Sequence, residues 1–105
     1  MPTLIALPSH SNWKIILHEF YDIESDEQSF GSDLKFYFME DLLEMKNIHN
    51  GTFIHLGWYP DFSPNGCFKL FVYDSDFEGK IVQQFESPSK QETAKELLAA
   101  LKQYA

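Results

Sequence analysis

Apolar positions recur at a helical interval most clearly near the C-terminus. Ala94, Leu97, Leu98, Leu101 and Tyr104 form one stripe at three- and four-residue spacing. Ser89 stands where an N-cap belongs, and Glu92 completes a capping box in which each side chain reaches the other's backbone N–H. Pro88 disfavours helix further upstream, and Lys95 and Lys102 fall in the later part, where positive charge suits the dipole. The spacing predicts a helix over about 90–104. Upstream the interval shortens. Residues 53–59 and 67–73 are rich in aromatic and branched side chains, while 80–86 alternates, with Ile81, Gln83 and Phe85 on one face and Val82 and Gln84 on the other. The connection 60–66 carries two prolines and the Asn65-Gly66 turn signal; the connection 74–79 is equally short. Links of this length suit antiparallel neighbours, so a three-stranded meander runs into the helix.

The first half follows weaker patterns. Asp33 can cap a helix over 34–46, with Leu34, Phe38, Leu42 and Met45 on one face and Asn47, Asn50 and Gly51 as its stop. Residues 13–22 fit a helix through Trp13, Ile16, Leu17 and Phe20, or a strand through Trp13, Ile15, Leu17, Glu19 and Tyr21. The pairs Ile15-Ile16 and Phe20-Tyr21 favour the strand. The polar, acidic stretch 24–32 reads as a loop. The expected fold is one α+β domain over 1–105. It has a three- to four-stranded, mainly antiparallel sheet, a C-terminal helix packed on one face and a second helix in the first half.

Composition agrees with a folded chain. Of 105 residues, 44% are hydrophobic and 16% aromatic, too many for a disordered segment. No apolar run approaches the roughly 20 residues that span a bilayer. The first eight residues are too short and too poor in basic residues for a signal peptide, and the single Cys67 has no internal disulfide partner, so a cytoplasmic location is expected. Sixteen acidic against eight basic residues leave a formal charge of -8. That field repels nucleic acid and anionic membrane and attracts a basic protein, although an acidic surface also serves solubility alone.

Candidate chemistry is sparse. Residues 74–79 begin like a calcium loop, with Asp74 and Asp76 at alternate positions and Gly79 at the sixth, but Phe85 stands where a bidentate glutamate belongs. His18 and Glu19 match half of a zinc-protease motif whose second histidine is replaced by Asp22. His49 and His55 lie six apart with no cysteine or third histidine nearby, so they read as satisfied surface or edge histidines. Cys67 has only Lys69 as a neighbouring cation and reads as a packing residue. The five glycines are scattered singly, so no phosphate-cradling loop forms. No catalytic residue, metal site or cofactor is expected. The segment from Gly57 to Gly66 places Trp58, Tyr59, Asp61 and Phe62 at one strand end. Trp and Tyr are preferred interface anchors there, with Tyr59 and Asp61 expected to be exposed and Trp58 to cover the sheet end.

Three stretches carry a resemblance: 54–62, which reads Ile-His-Leu-Gly-Trp-Tyr-Pro-Asp-Phe; 64–70, which reads Pro-Asn-Gly-Cys-Phe-Lys-Leu; and the acidic turn followed by Phe85-Glu86-Ser87. Together they resemble small immunity proteins of bacterial contact-dependent growth inhibition and related polymorphic-toxin systems, over roughly the second half of the chain. The resemblance implies a non-enzymatic protein that binds and neutralises the toxic domain of a cognate effector, a nuclease acting on RNA or DNA. Such a domain must be basic to bind phosphate, which gives the acidic charge a purpose. The expected contacts are Asp74, Asp76 and Glu78 with Tyr59 and Asp61, and a second group of Glu24, Asp26 and Glu27. A general acidic adaptor without a toxin partner, or a small carboxylate hydrolase, are the alternatives.

Overall fold

The computed structural model describes residues 2–8, 12–75 and 79–105. Five strands form one antiparallel sheet in chain order: β1 (Trp13–His18), β2 (Leu43–Asn47), β3 (Phe53–Tyr59), β4 (Cys67–Tyr73) and β5 (Ile81–Ser87). A four-residue helix, α1 (Glu27–Phe30), and a 3-10 turn (Asp33–Tyr37) link β1 to β2, and α2 (Lys90–Gln103) ends the chain. The α+β class, the 53–73 hairpin, the strand at 13–18 and the terminal helix match the sequence reading. The strand number does not: the sheet has five strands, not three or four.

The fifth strand comes from the stretch that reads as a helix over 34–46. Leu43, Met45 and Asn47 are buried while Glu44 and Lys46 are more exposed, a two-residue period set by pairing with β3. Helical spacing of Leu34, Phe38, Leu42 and Met45 is satisfied instead by a 3-10 turn followed by a strand. Without β2, one edge of the apolar β3 would present unpaired backbone groups. The predicted stop becomes the β2–β3 turn. There Asn47 Oδ1 accepts from the N–H groups of His49 and Asn50 at 2.8 and 3.1 Å, and Gly51 takes a left-handed φ of 83°. The stretch 24–32 is likewise only partly loop, because Asp26 caps α1 by accepting from Ser29 N–H at 2.9 Å.

The core lies on one face of the sheet. Leu43, Met45, Ile54, Leu56, Trp58, Phe68, Leu70 and Val72 project there, and Leu97, Ala100 and Leu101 of α2 cover part of it. Leu98, on the shoulder of the predicted stripe, stays exposed. The rest is covered by rings from the first half. Phe38 and Phe30 meet Trp58 with ring centroids 5.0 and 5.5 Å apart, beside the Phe68 ring of β4 at 4.9 Å. Trp58 therefore closes the sheet end, as its amphipathic ring suggests, and its indole N–H donates to the Ser63 carbonyl at 2.8 Å.

Both ends of α2 are tied down. Ser89 Oγ accepts from Glu92 N–H at 3.1 Å, but the reciprocal half of the capping box runs through a relay. Ser89 N–H donates to Ser87 Oγ, whose hydroxyl donates to Glu92 Oε1. Lys90 reaches Asp22 and Glu24, the latter at 2.9 Å, with its side chain only 12% exposed. Those hydrogen bonds raise its pKa above the usual lysine value. At the other end, carbonyls that the helix cannot use accept from the sheet: Trp13 Nε1–H donates to Leu101 O at 3.0 Å and Asn47 Nδ2–H to Tyr104 O at 2.9 Å.

Candidate functional site

Alternation along β3 sends Phe53, His55, Gly57 and Tyr59 to the face opposite the core, and Cys67, Lys69, Phe71 and Tyr73 join them from β4. These side chains form a row of rings. His55 stacks on Phe71 with centroids 6.5 Å apart and planes 10° from parallel, and meets Tyr59 edge-on at 6.4 Å. Phe71 and Tyr73 are 6.3 Å apart, Tyr73 and Phe53 6.2 Å. Lys69 places its ammonium 5.8 Å from the centre of the Tyr59 ring. Mutual contact leaves His55 only 4% exposed on a face turned away from α2.

One end of this row is acidic, and Gly57 makes it so. The chain entering β2 bonds to β3 on both sides of Gly57, through Trp58 N–H to Met39 O at 2.6 Å and Leu42 N–H to Leu56 O at 2.9 Å. Glu40 and Asp41 lie between these anchors, and the Glu40 carbonyl oxygen sits 1.9 Å from where a Cβ on residue 57 would be. Only glycine admits that approach. It carries Asp41 to the imidazole of His55, with Oδ1 3.1 Å from Nε2. Glu44 is the cross-strand partner of His55. One ligand-type atom from each of Asp41, Glu44 and His55 lies within 4.8 Å of the others.

Asp61 completes the patch from the β3–β4 connection. Its Oδ1 accepts from the Glu40 N–H, and it lines an open groove of about 210 Å³ with Met39, Glu40, Asp41 and Phe62. Phe62 is held at a left-handed φ of 59° by its N–H bond to Phe38 O at 2.7 Å, and its ring packs edge-on against Phe36. Burial, with Asp41, Glu40, Tyr73 and Asp61 around it, pushes the Tyr59 phenol up to about 12. Burial is the larger cause, and the surrounding acidic groups add to it in the same direction. The cluster offers an imidazole nitrogen and two carboxylates, a set that can take up protons or hold a cation. At the neighbouring Cys67, burial and Glu86 raise the thiol pKa, which keeps it a protonated packing residue.

Compared with models of protein families, with curated proteins and with solved structures, the chain has no significant match.

The sequence-predicted contacts fall in three places. Tyr59, half-buried, and Asp61, exposed, join the acidic patch. Asp74 sits beyond the far end of the same hairpin, since Tyr73 pairs with Phe53 while Tyr59 pairs with Cys67. Seven strand residues separate these ends by about 20 Å. Asp74 Oδ1 accepts from Lys80 N–H at 2.8 Å, a hairpin role that accounts for an aspartate there. Asp76 and Glu78 lie outside the described residues. Glu24 pairs with Lys90 and Asp26 caps α1, both lining an open depression of about 530 Å³, while Glu27 stands exposed in the first turn of α1. Glu40, Asp41 and Glu44 belong to no motif in the sequence, and His55, which reads there as a surface or edge histidine, is buried in the central strand. Their one sequence signal is Gly57, an isolated glycine inside a strand-like run, which marks a close backbone approach. Among the described residues, no helix is long and apolar enough to cross a membrane.

Proposed function

We propose that the protein is a cytoplasmic immunity protein of a contact-dependent inhibition system. In this reading it binds the toxic nuclease domain of a cognate effector and acts by occlusion, without catalysis of its own. The observation that carries the reading is the acidic patch of Glu40, Asp41 and Asp61 beside Tyr59, held in place by backbone and side-chain hydrogen bonds on a protein of net charge -8. A site built in advance loses little entropy on binding, and Tyr59 adds an aromatic anchor. The complementary surface is basic, the kind a nuclease needs for phosphate. Tyr59 and Asp61 remain contacts, with Glu40 and Asp41 beside them; Asp74 and the group Glu24, Asp26 and Glu27 form outer candidates.

The test combines capture and protection. Tagged protein should retain a basic C-terminal domain of an exported effector from native lysate at low salt. One equivalent should abolish that domain's nuclease activity, and co-expression should restore growth. The Asp41→Asn, Asp61→Asn double variant should need a clear excess for the same inhibition. Asparagine can still accept the Glu40 hydrogen bond, so the fold is kept while the charge is removed. Retention of a partner without toxic activity would instead indicate an adaptor, and failure of every expressed toxin domain to bind would remove the immunity reading.

A further inference from the structure

The cluster of Asp41, Glu44 and His55 has a chemistry that protein docking does not require. His55 is in the central strand, buried, with Nε2 aimed at Asp41 Oδ1. Glu44 is fixed opposite it by the β2–β3 register, and Asp41 is fixed by the approach over Gly57. The three donors thus come from two paired strands and one anchored connection. They are not a chance meeting of long surface side chains.

We infer that Asp41, Glu44 and His55 form a binding site for a divalent transition-metal ion, with zinc the best fit. Imidazole nitrogen and carboxylate oxygen are both donors that zinc accepts, and three protein donors leave a fourth position for water. Calcium and magnesium take oxygen ligands only and are disfavoured by the imidazole. Bonds of about 2.1 Å in tetrahedral geometry place ligand atoms about 3.4 Å apart. The present spread of up to 4.8 Å needs only a small closure by the Asp41 and Glu44 side chains, which are exposed and half-exposed. His55 needs no movement. The ion replaces the contact between Asp41 and His55 with one bond to each, and Phe71, stacked on the imidazole, holds the ring in place. Nothing here depends on the identity of a protein partner, so this site and the immunity reading can fail separately.

The test is calorimetric titration of the tag-free protein with Zn²⁺, and with Co²⁺ as a spectroscopic probe, in the presence of millimolar Mg²⁺. The expected result is one equivalent bound. The d–d bands of Co²⁺ should have the intensity of a four- or five-coordinate site with nitrogen and oxygen ligands. Asp41→Asn and Glu44→Gln, both outside the core, should each weaken binding by about tenfold or more. His49→Gln, in the exposed β2–β3 turn, should leave it unchanged. At one fixed Zn²⁺ concentration the unfolding temperature should rise as much in His49→Gln as in the wild type, and clearly less in Glu44→Gln. Metal-free melting curves would show that the variants are folded. Equal affinity in wild type and the Asp41→Asn, Glu44→Gln double variant, loss of binding in His49→Gln, or displacement of Zn²⁺ by Mg²⁺ would each overturn the site.

Discussion

Tyr59 shows how one residue registers the field of its surroundings. Its phenol is raised to about 12 from an ordinary value near 10, by burial first and then by Asp41, Glu40, Tyr73 and Asp61. Between these two values the folded chain holds a proton that the unfolded chain has released. Stability from this group is therefore complete below pH 10 and declines as pH rises towards 12. A shift of this size corresponds to roughly 2.7 kcal/mol in full, and screening by the water that still reaches the ring lowers this to about 1 kcal/mol. Tyr59→Phe should accordingly flatten the alkaline loss of stability relative to wild type by about that amount. Urea unfolding of both proteins at a series of pH values between 9.5 and 12 would measure it. Parallel curves would mean that burial and the acidic neighbours do not raise the phenol pKa on folding.

At the scale of elements, the acidic patch is a product of one tight contact between the chain entering β2 and the middle of β3. Gly57→Ala would put a methyl group into the Glu40 carbonyl, which is backbone on an anchored segment and cannot swing aside. The expected cost is about 2–3 kcal/mol, from strain and a displaced ladder. Chemical denaturation would measure it, and NMR of the His55 imidazole should show Asp41 withdrawn from it. Retention of the wild-type imidazole shifts would show that the approach is not what positions Asp41. The same contact explains what was legible in the sequence. Strands β3, β4 and β5 and helix α2 carry local signals: alternation, the Asn65-Gly66 turn, and Ser89 with Glu92. Strand β2 carries a misleading one. Leu34, Phe38, Leu42 and Met45 have helical spacing, yet their segment is more stable completing the edge of β3. Mistaking β2 also hid the metal cluster, because Glu44 and His55 are neighbours only through strand register. The place of Tyr59 and Asp61 at and just after the end of β3 was legible because it depends on local sequence alone.

For the whole molecule, the question is whether net charge or its placement governs association. The charge of -8 is divided among separate acidic groups: the patch around Asp41 and Asp61, the group at 24–27 near the start of α2, and Asp74 at the other end of the β3–β4 hairpin. The distance of about 20 Å between the hairpin ends is two Debye lengths at 0.1 M salt. A basic partner seated on the patch would therefore feel Asp74 only weakly at that ionic strength. Removing two charges in the Asp41→Asn, Asp61→Asn variant should slow association with the proposed basic partner by roughly three- to tenfold at low salt. At about 0.5 M salt, where screening reaches within a few ångströms, the difference should nearly vanish. Asp74→Asn, which keeps the acceptor for Lys80 N–H, should change the rate much less under the same conditions. Stopped-flow association at several salt concentrations distinguishes the two cases. Equal slowing per charge removed, wherever it is removed, would assign the steering to net charge and leave the patch no special part in capture. A loss concentrated at Asp41 and Asp61 would mean that the bend over Gly57 sets where the partner arrives.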